Sequence, residues 1–244
     1  MRRFFINIED LNQEQITLPE NESKHACRVL RMKVGQQLEL VNGKGGLFTG
    51  EITDDHQKKC IVSRIYFHLE KQDSYHIHLA IAPTKSMDRL EWFLEKATEF
   101  GIHEVSLILC ENAERKRVKM ERIHKIVVAA MKQSKRLFLP TINELQPFEQ
   151  FVKQHNKGFI AHCYDEKRIS LSELLSSSQY KQLKTSDFPV LIGPEGDFTK
   201  EEVHLAMEKQ FKPVLLGQTR LRTETAGLYA CMQLKNYFEE IHNQ

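Results

Sequence analysis

Long apolar runs are absent from this 244-residue chain. None approaches the ~18 residues a bilayer-spanning helix needs, so no membrane role is expected. Arg2 and Arg3 lead into a short apolar stretch that ends at Glu9 and Asp10, too brief for a secretory signal. Cysteine is sparse and unpatterned: the five (27, 60, 110, 163, 231) are odd in number and form no C-x-x-C pair. That argues against a disulfide framework and for reduced thiols in a cytoplasmic protein. The phosphate-cradling patterns G-x-G-x-x-G and G-x-x-x-x-G-K-[ST] are missing, as are H-E-x-x-H and G-x-S-x-G, which weakens nucleotide, zinc-protease and serine-hydrolase readings. His76 and His78 share a strand face, but no further ligand stands at metal spacing, so no metal is expected.

Two segments near the C-terminus carry most of the information. Leu191-Ile-Gly-Pro-Glu-Gly-Asp-Phe-Thr199 and Leu215-Leu-Gly-Gln-Thr-Arg-Leu-Arg-Thr-Glu-Thr-Ala226 each run from a short apolar strand into a glycine-bearing loop with a glutamate, then into a helix. A strand's C-terminal end, a turn that lets a ligand approach backbone, and the free N–H groups of a helix start together make a small-molecule pocket. Thr199 followed by Glu202 reads as a capping box, fixing where the first of those helices begins.

The chain divides at the polar stretch Lys71-Gln-Asp-Ser74. Before it, Arg3–Ile8, Gln36–Val41, Leu47–Ile52 and Cys60–Leu69 read as strands, with Asn42-Gly-Lys-Gly-Gly46 as a hairpin turn. A short helix near Glu22–Met32 places Lys24, Arg28 and Arg31 on one face and leaves Ala26, Val29 and Leu30 to pack. After it, strands (His76–Ala82, Val105–Cys110, Phe159–Tyr164, Val190–Ile192, Val214–Leu216) alternate with helices (Met87–Phe100, Val118–Lys135, Phe148–His155, Ser170–Ser176, Thr199–Gln210, Thr225–Ile241). That alternation implies an α/β fold whose parallel sheet is covered on both faces. Trp92 and Phe93 on the first of these helices read as packing residues.

Net charge is only +2, but its distribution is uneven: Arg115 to Arg136 holds nine Lys/Arg and a single acid, Glu121. At 100° per residue, Ile123, Ile126, Val127, Ala130 and Met131 share one side, while Arg122, Lys125, Lys132 and Arg136 occupy an arc across from it. With the N-terminal basic residues, this gives two candidate grips on a polyanion such as RNA.

The two C-terminal loops resemble the signatures of the SPOUT methyltransferases. Met1-Arg-Arg-Phe-Phe5, His25 with Arg28-Val-Leu-Arg31, Ala97-Thr-Glu-Phe-Gly101, and Gln133-Ser-Lys-Arg136 before Pro140 extend the likeness over nearly the whole chain. It is similar to the family that methylates N3 of a uridine in 16S ribosomal RNA of the small subunit. The resemblance implies a PUA-like β-barrel over residues 1–72 and a SPOUT domain with a C-terminal trefoil knot over 73–244. It implies S-adenosyl-L-methionine as methyl donor, a homodimer joined at the knot, and rRNA or the small ribosomal subunit as partner.

On that reading Leu191, Ile192, Leu215, Leu216 and Leu221 wall the cofactor, while Gly193, Gly196 and Gly217 clear space for it. His162, Glu195, Thr223, Thr225 and Ala226 complete its contacts, and Arg2, Arg3, Lys24, Arg28, Arg31, Arg122, Lys125, Lys132 and Arg136 hold RNA. Arg222 is the candidate for stabilising charge on the reacting base; Glu224 or Glu195 takes the proton, orients Arg222 or caps the last helix. Asp197 stands where the family usually has glycine, and Thr219-Arg220 and Lys132 also depart from its pattern. A transfer-RNA methylase acting on a ribose hydroxyl or guanine, and a non-catalytic ribosome assembly factor, remain open alternatives.

Overall fold

The computed structural model describes residues 1–165, 168–177 and 188–242. It forms two compact units, one of Met1–Gln72 with Met131–Leu139, the other of Asp73–Ala130 with the chain from Pro140 onward.

The first unit is built on β1 (Arg2–Phe5), β2 (Gln15–Thr17), β3 (Gln37–Val41), β4 (Gly46–Asp54) and β5 (Ile61–Leu69), in the order β1-β3-β4-β5-β2. β1 runs parallel to β3, and the other pairs are antiparallel. The alternation read from the sequence sends Leu38, Leu40, Phe48, Ile52 and Val62 into one core with Phe4, Ile6 and Leu11. At the β3–β4 turn the Asn42 side-chain oxygen accepts the N–H of Lys44 at 2.9 Å and of Gly46 at 3.1 Å. Met131 and Leu137 pack in this unit against Val41, Phe5 and Leu47.

The predicted basic stripe needs correction. α1 (Glu20–Lys24) continues as one wide π-helical stretch, His25–Val29, and Arg31 lies beyond it at φ 53°. Arg31 therefore leaves the helical register that would align it with Lys24 and Arg28. Val29, expected to pack, is 67% exposed; i→i+5 bonding, as from the Leu30 N–H to the His25 carbonyl, turns the chain less per residue and displaces it from the face that buries Ala26 and Cys27.

The second unit carries seven parallel strands: β6 (His78–Ile81), β7 (Glu104–Leu109), β8 (Thr141–Pro147), β9 (Gly158–Ala161), β10 (Ile169–Ser170), β11 (Val190–Ile192) and β12 (Phe211–Leu215). Their order is β10-β12-β9-β11-β6-β7-β8. β11 thus enters between two strands that precede it in the chain, and β12 does the same between β9 and β10. The last part of the chain fills positions inside the sheet instead of extending its edge.

Between the strands run α2 (Met87–Phe100), α3 (Met120–Gln133), α4 (Phe148–Gln154), α5 (Leu171–Ser176), α6 (Lys200–Glu208) and α7 (Thr223–His242). Ile123, Val127, Ala130 and Met131 of α3 are buried, as its angular pattern predicts. The Thr199 capping box is present: its hydroxyl accepts the Glu202 N–H at 3.1 Å and Glu202 returns a bond to the Thr199 N–H at 2.9 Å.

Trp92 is 44% exposed, so only its neighbour Phe93 packs as expected. β2, β8 and β10 were not predicted from the sequence. Two are very short, and β8 lies on the sheet edge, where polar TINELQP shows little alternation. Among the described residues no helix is long and apolar enough to cross a membrane, and no cluster of three metal-ligating side chains occurs.

Candidate active site

The C-terminal ends of β9, β11 and β12 open onto one cavity of about 650 Å³, entirely within the second unit. Its walls include Ala161 and His162 after β9, Ile192 to Glu195 after β11, and Val214 to Thr223 around and after β12. Parallel sheets gather ligands at this edge because the connecting loops splay apart where strand order reverses. Volume and mixed lining suit a medium-sized organic ligand.

Of the predicted cofactor residues, His162, Ile192, Gly193, Glu195, Leu216, Gly217, Leu221, Thr223 and Ala226 line this cavity, as does Arg222. Leu191 does not; it is fully buried in the core on the far side of its strand from the cavity-lining Ile192. Gly196 faces Asn112, whose amide donates to its carbonyl at 3.2 Å, and Thr225 is exposed outside the lining. Glu224 is buried behind the cavity wall and does not line it.

The loop after β11 is held from several sides. Thr223 Oγ1 donates to the Gly193 carbonyl at 3.0 Å, tying the two glycine-bearing loops together. A Cβ on Gly193 would come within 3.1 Å of the Phe198 ring, so a side chain there would push the loop off its buried aromatic anchor. Gly217, by contrast, meets nothing within 4 Å and leaves the cavity floor open. Glu195 Oε1 accepts the Lys85 N–H at 3.0 Å, linking this loop to the segment after β6.

Asp197 adopts φ 62°. The loop does require a left-handed residue at that point, and Asp supplies it. One Asp197 oxygen accepts the Cys163 N–H at 2.7 Å and the other accepts the Phe198 N–H at 2.8 Å. Glycine could meet the dihedral but not these two bonds.

Among the cavity-lining groups that sequence reasoning missed are Arg89, Cys163, Arg168 and Arg220. Arg89 sits in the first turn of α2, following β6, and its Nε lies 3.8 Å from Glu224 Oε1. Arg168 donates to the His162 carbonyl. The available signal was positional, since residues just past any strand end of a parallel sheet are candidates; Cys163 satisfies that rule, whereas Arg89, already inside α2, does not.

The RNA candidates are scattered among environments. Arg2, Lys24, Arg28 and Arg31 are exposed, while Arg3 is partly buried, its Nε on Glu39 at 2.8 Å. Lys24 pairs with Glu20 at 2.6 Å. On α3, Lys125 is exposed and Lys132 half-buried, and Arg136 lies just beyond the helix. Arg122 is tied to Glu91 by its Nη2 at 2.8 Å, so it is a less available cation than its neighbours.

Comparison with known proteins agrees with this architecture. Residues 71–235 match the RNA methyltransferase domain family, and residues 18–63 match the RNA methyltransferase PUA domain. The chain belongs to this RNA methyltransferase family. The ribosomal RNA small subunit methyltransferase E of Rickettsia conorii is 32% identical, with 98% of each chain covered. Among solved structures, a probable rRNA-methyltransferase from Porphyromonas gingivalis is 37% identical, covers 98% of this chain and 99% of its own, and superposes with a TM-score of 0.83. A candidate methyltransferase from Legionella pneumophila, solved with bound S-adenosylmethionine, is 28% identical over 96% of each chain, with a TM-score of 0.81. The first unit is thus the PUA-bearing part of a SPOUT-class fold, and the second its methyltransferase part.

The residues present suit the cofactor of this family. Ile192, Leu216 and Leu221 offer an apolar wall for a purine, the open space at Gly217 admits close approach to backbone, and Thr223 fixes the distance between the two loops.

Proposed function

We propose that this protein is an S-adenosylmethionine-dependent methyltransferase of small-subunit (16S) ribosomal RNA that acts on N3 of a uridine. The observation that carries the reading is the single cavity at which the GPEGD and LRTETA loops meet, tied by Thr223 to Gly193, with arginines on its rim. Membership in the RNA methyltransferase family supports the class of reaction, and the full-length similarity to small-subunit methyltransferases supports rRNA. The choice of uracil N3 rests on the sequence resemblance.

The bound cofactor supplies an electrophilic methyl group; the chain's own residues must make N3 reactive toward it. Uracil N3 carries a proton at neutral pH, and its loss spreads negative charge over O2 and O4. A guanidinium offers planar donors for those oxygens, and Arg222 on the cavity rim has that role. The N3 proton passes to Glu195, the carboxylate among the lining residues that the sequence offered for that role, while Glu224, behind the wall, orients a guanidinium. His162, Leu191, Ile192, Gly193, Glu195, Gly196, Leu216, Gly217, Leu221, Thr223, Thr225 and Ala226 form the cofactor loops, with Leu191, Gly196 and Thr225 acting as their support.

Residues 1–72 serve as the RNA-binding domain and 73–244 as the catalytic one, in a cytoplasmic homodimer. On α7, Tyr229 is 44% exposed and is the residue proposed to meet a partner copy.

The test is transfer of a labelled methyl group to undermodified ribosomal RNA, supplied as free RNA and as assembled small subunits, followed by nucleoside analysis. N3-methyluridine is expected. A labelled ribose or guanine moves the protein to a different target class, and unlabelled RNA alongside an active control methylase removes the enzyme reading.

A further inference from the structure

We infer that Arg89 is a second catalytic guanidinium of the site, one that donates to the carbonyl oxygens of the substrate pyrimidine, and that Glu224 is its positioning residue. The inference rests on the uracil reading and adds to it a residue that the sequence motifs do not mark.

Three observations converge on the pair. First, Arg89 lines the cavity while Glu224 does not, although Glu224 follows the loop that carries Arg222. A carboxylate outside the lining cannot reach a base held in the cavity, whereas a guanidinium between them can. Second, the Glu224 side chain is only 9% exposed, and its Oε2 is buried without a hydrogen bond. A buried carboxylate oxygen left unpaired is costly and calls for a donor. Arg89 is the cation beside it, its Nε 3.8 Å from Oε1, an ion-pair distance longer than a hydrogen bond. Third, Glu224 approaches Arg89 at Nε while Arg89 itself borders the cavity, so the pair joins a buried carboxylate to a guanidinium at the ligand space. A planar fork held that way is pre-organised for an oxygen that gains charge during the reaction.

The placement of both residues follows from local structure. Arg89 stands in the first turn of α2, the helix that follows β6. Glu224 is the second residue of α7, where the unsatisfied N–H groups of a helix start favour an anion. Arg222, two residues earlier, is exposed.

The experiment uses the full-length protein with S-adenosylmethionine and undermodified small subunits, reading kcat, cofactor Kd by calorimetry and RNA Kd by filter binding. Arg89→Ala is expected to lower kcat by roughly two orders of magnitude while both Kd values stay within about threefold, because the lost contact forms fully only as charge develops. Guanidinium ion added to Arg89→Ala is expected to restore part of the rate, an effect a structural role would not give. Glu224→Gln is expected to lower kcat roughly tenfold with unchanged melting temperature, and to add nothing when combined with Arg89→Ala, as for residues acting as a unit.

Near-wild-type turnover in Arg89→Ala, with the wild type still producing N3-methyluridine, overturns this inference and leaves the function intact. So does a loss confined to cofactor affinity, which would place Arg89 on the amino-acid end of the cofactor. A wild-type product other than N3-methyluridine sinks the functional reading, and this one with it.

Discussion

Asp197 concentrates two demands in one residue: a φ of 62° and acceptors for the N–H groups of Cys163 and Phe198. A β-carbon in the left-handed region costs about 1–2 kcal/mol for most residues, less for Asp and Asn, and each bond to a carboxylate contributes about 1.5–3 kcal/mol net. Asp197→Ala keeps the strain and loses both bonds; because Asp197 is only half-buried, the loss should fall below the full sum, at about 2–4 kcal/mol for the second unit, and weaken cofactor binding. Asp197→Gly relieves the strain only, and should fall between alanine and wild type in urea denaturation. Alanine as stable as wild type would mean the loop is set by its other ties. Arg222→Ala addresses chemistry instead. Because Arg222 is exposed, the change should leave stability and cofactor affinity unchanged while turnover falls by roughly two to three orders of magnitude. Unchanged turnover in a methyl-transfer assay would remove Arg222 from the reaction.

At the scale of elements, legibility followed periodicity. β3, β4, β7, α2, α3 and α6 carry alternation, a 3.6-residue stripe or a cap in their own residues, and each was read close to its observed limits. β2, β8 and β10 take their conformation from a neighbouring strand, and nothing local announces that. The cavity divides the same way. Its glycine loops are contiguous motifs, whereas Arg89, Cys163 and Arg168 reach it from other strands, and only the sheet order brings them together.

The pairing of β6 with β7 also hides a titrating element. His78 is buried, bonded to Ser106 at 2.8 Å, and burial pushes its pKa down to about 4; Glu104 opposes that shift, while His155 and His76 reinforce it. Because the folded value lies below the unfolded value of about 6.5, the neutral ring's stability is intact above pH 6.5 and is lost as pH falls toward 4. The span corresponds to about 3 kcal/mol at most. Urea denaturation of His78→Gln should therefore show a shallower loss of stability between pH 6.5 and 4 than wild type. Parallel curves would mean that His78 opens to water before it protonates.

For the molecule as a whole, the question is whether both units hold RNA. Each carries exposed cations: Lys24 and Arg28 in the first, Lys125 on α3 in the second. Binding to a polyanion releases counterions, so log K falls with log salt by about 0.7 per contacted phosphate in single strands and about 0.9 in duplex. If both units grip, Arg28→Gln should reduce that slope by about 0.8, Lys24→Gln by less because Glu20 already engages it at 2.6 Å, and Lys125→Gln by a further ~0.8 without altering cofactor Kd. Arg122 provides the internal control. Its guanidinium is already engaged by Glu91 at 2.8 Å, so Arg122→Gln should change the slope less than Lys125→Gln although both lie on the same helix. Filter binding across a salt series reads all of these at once. A slope that responds only to the α3 variant would confine RNA contact to the catalytic unit, and a slope indifferent to every one of them would leave the basic residues as solvated surface.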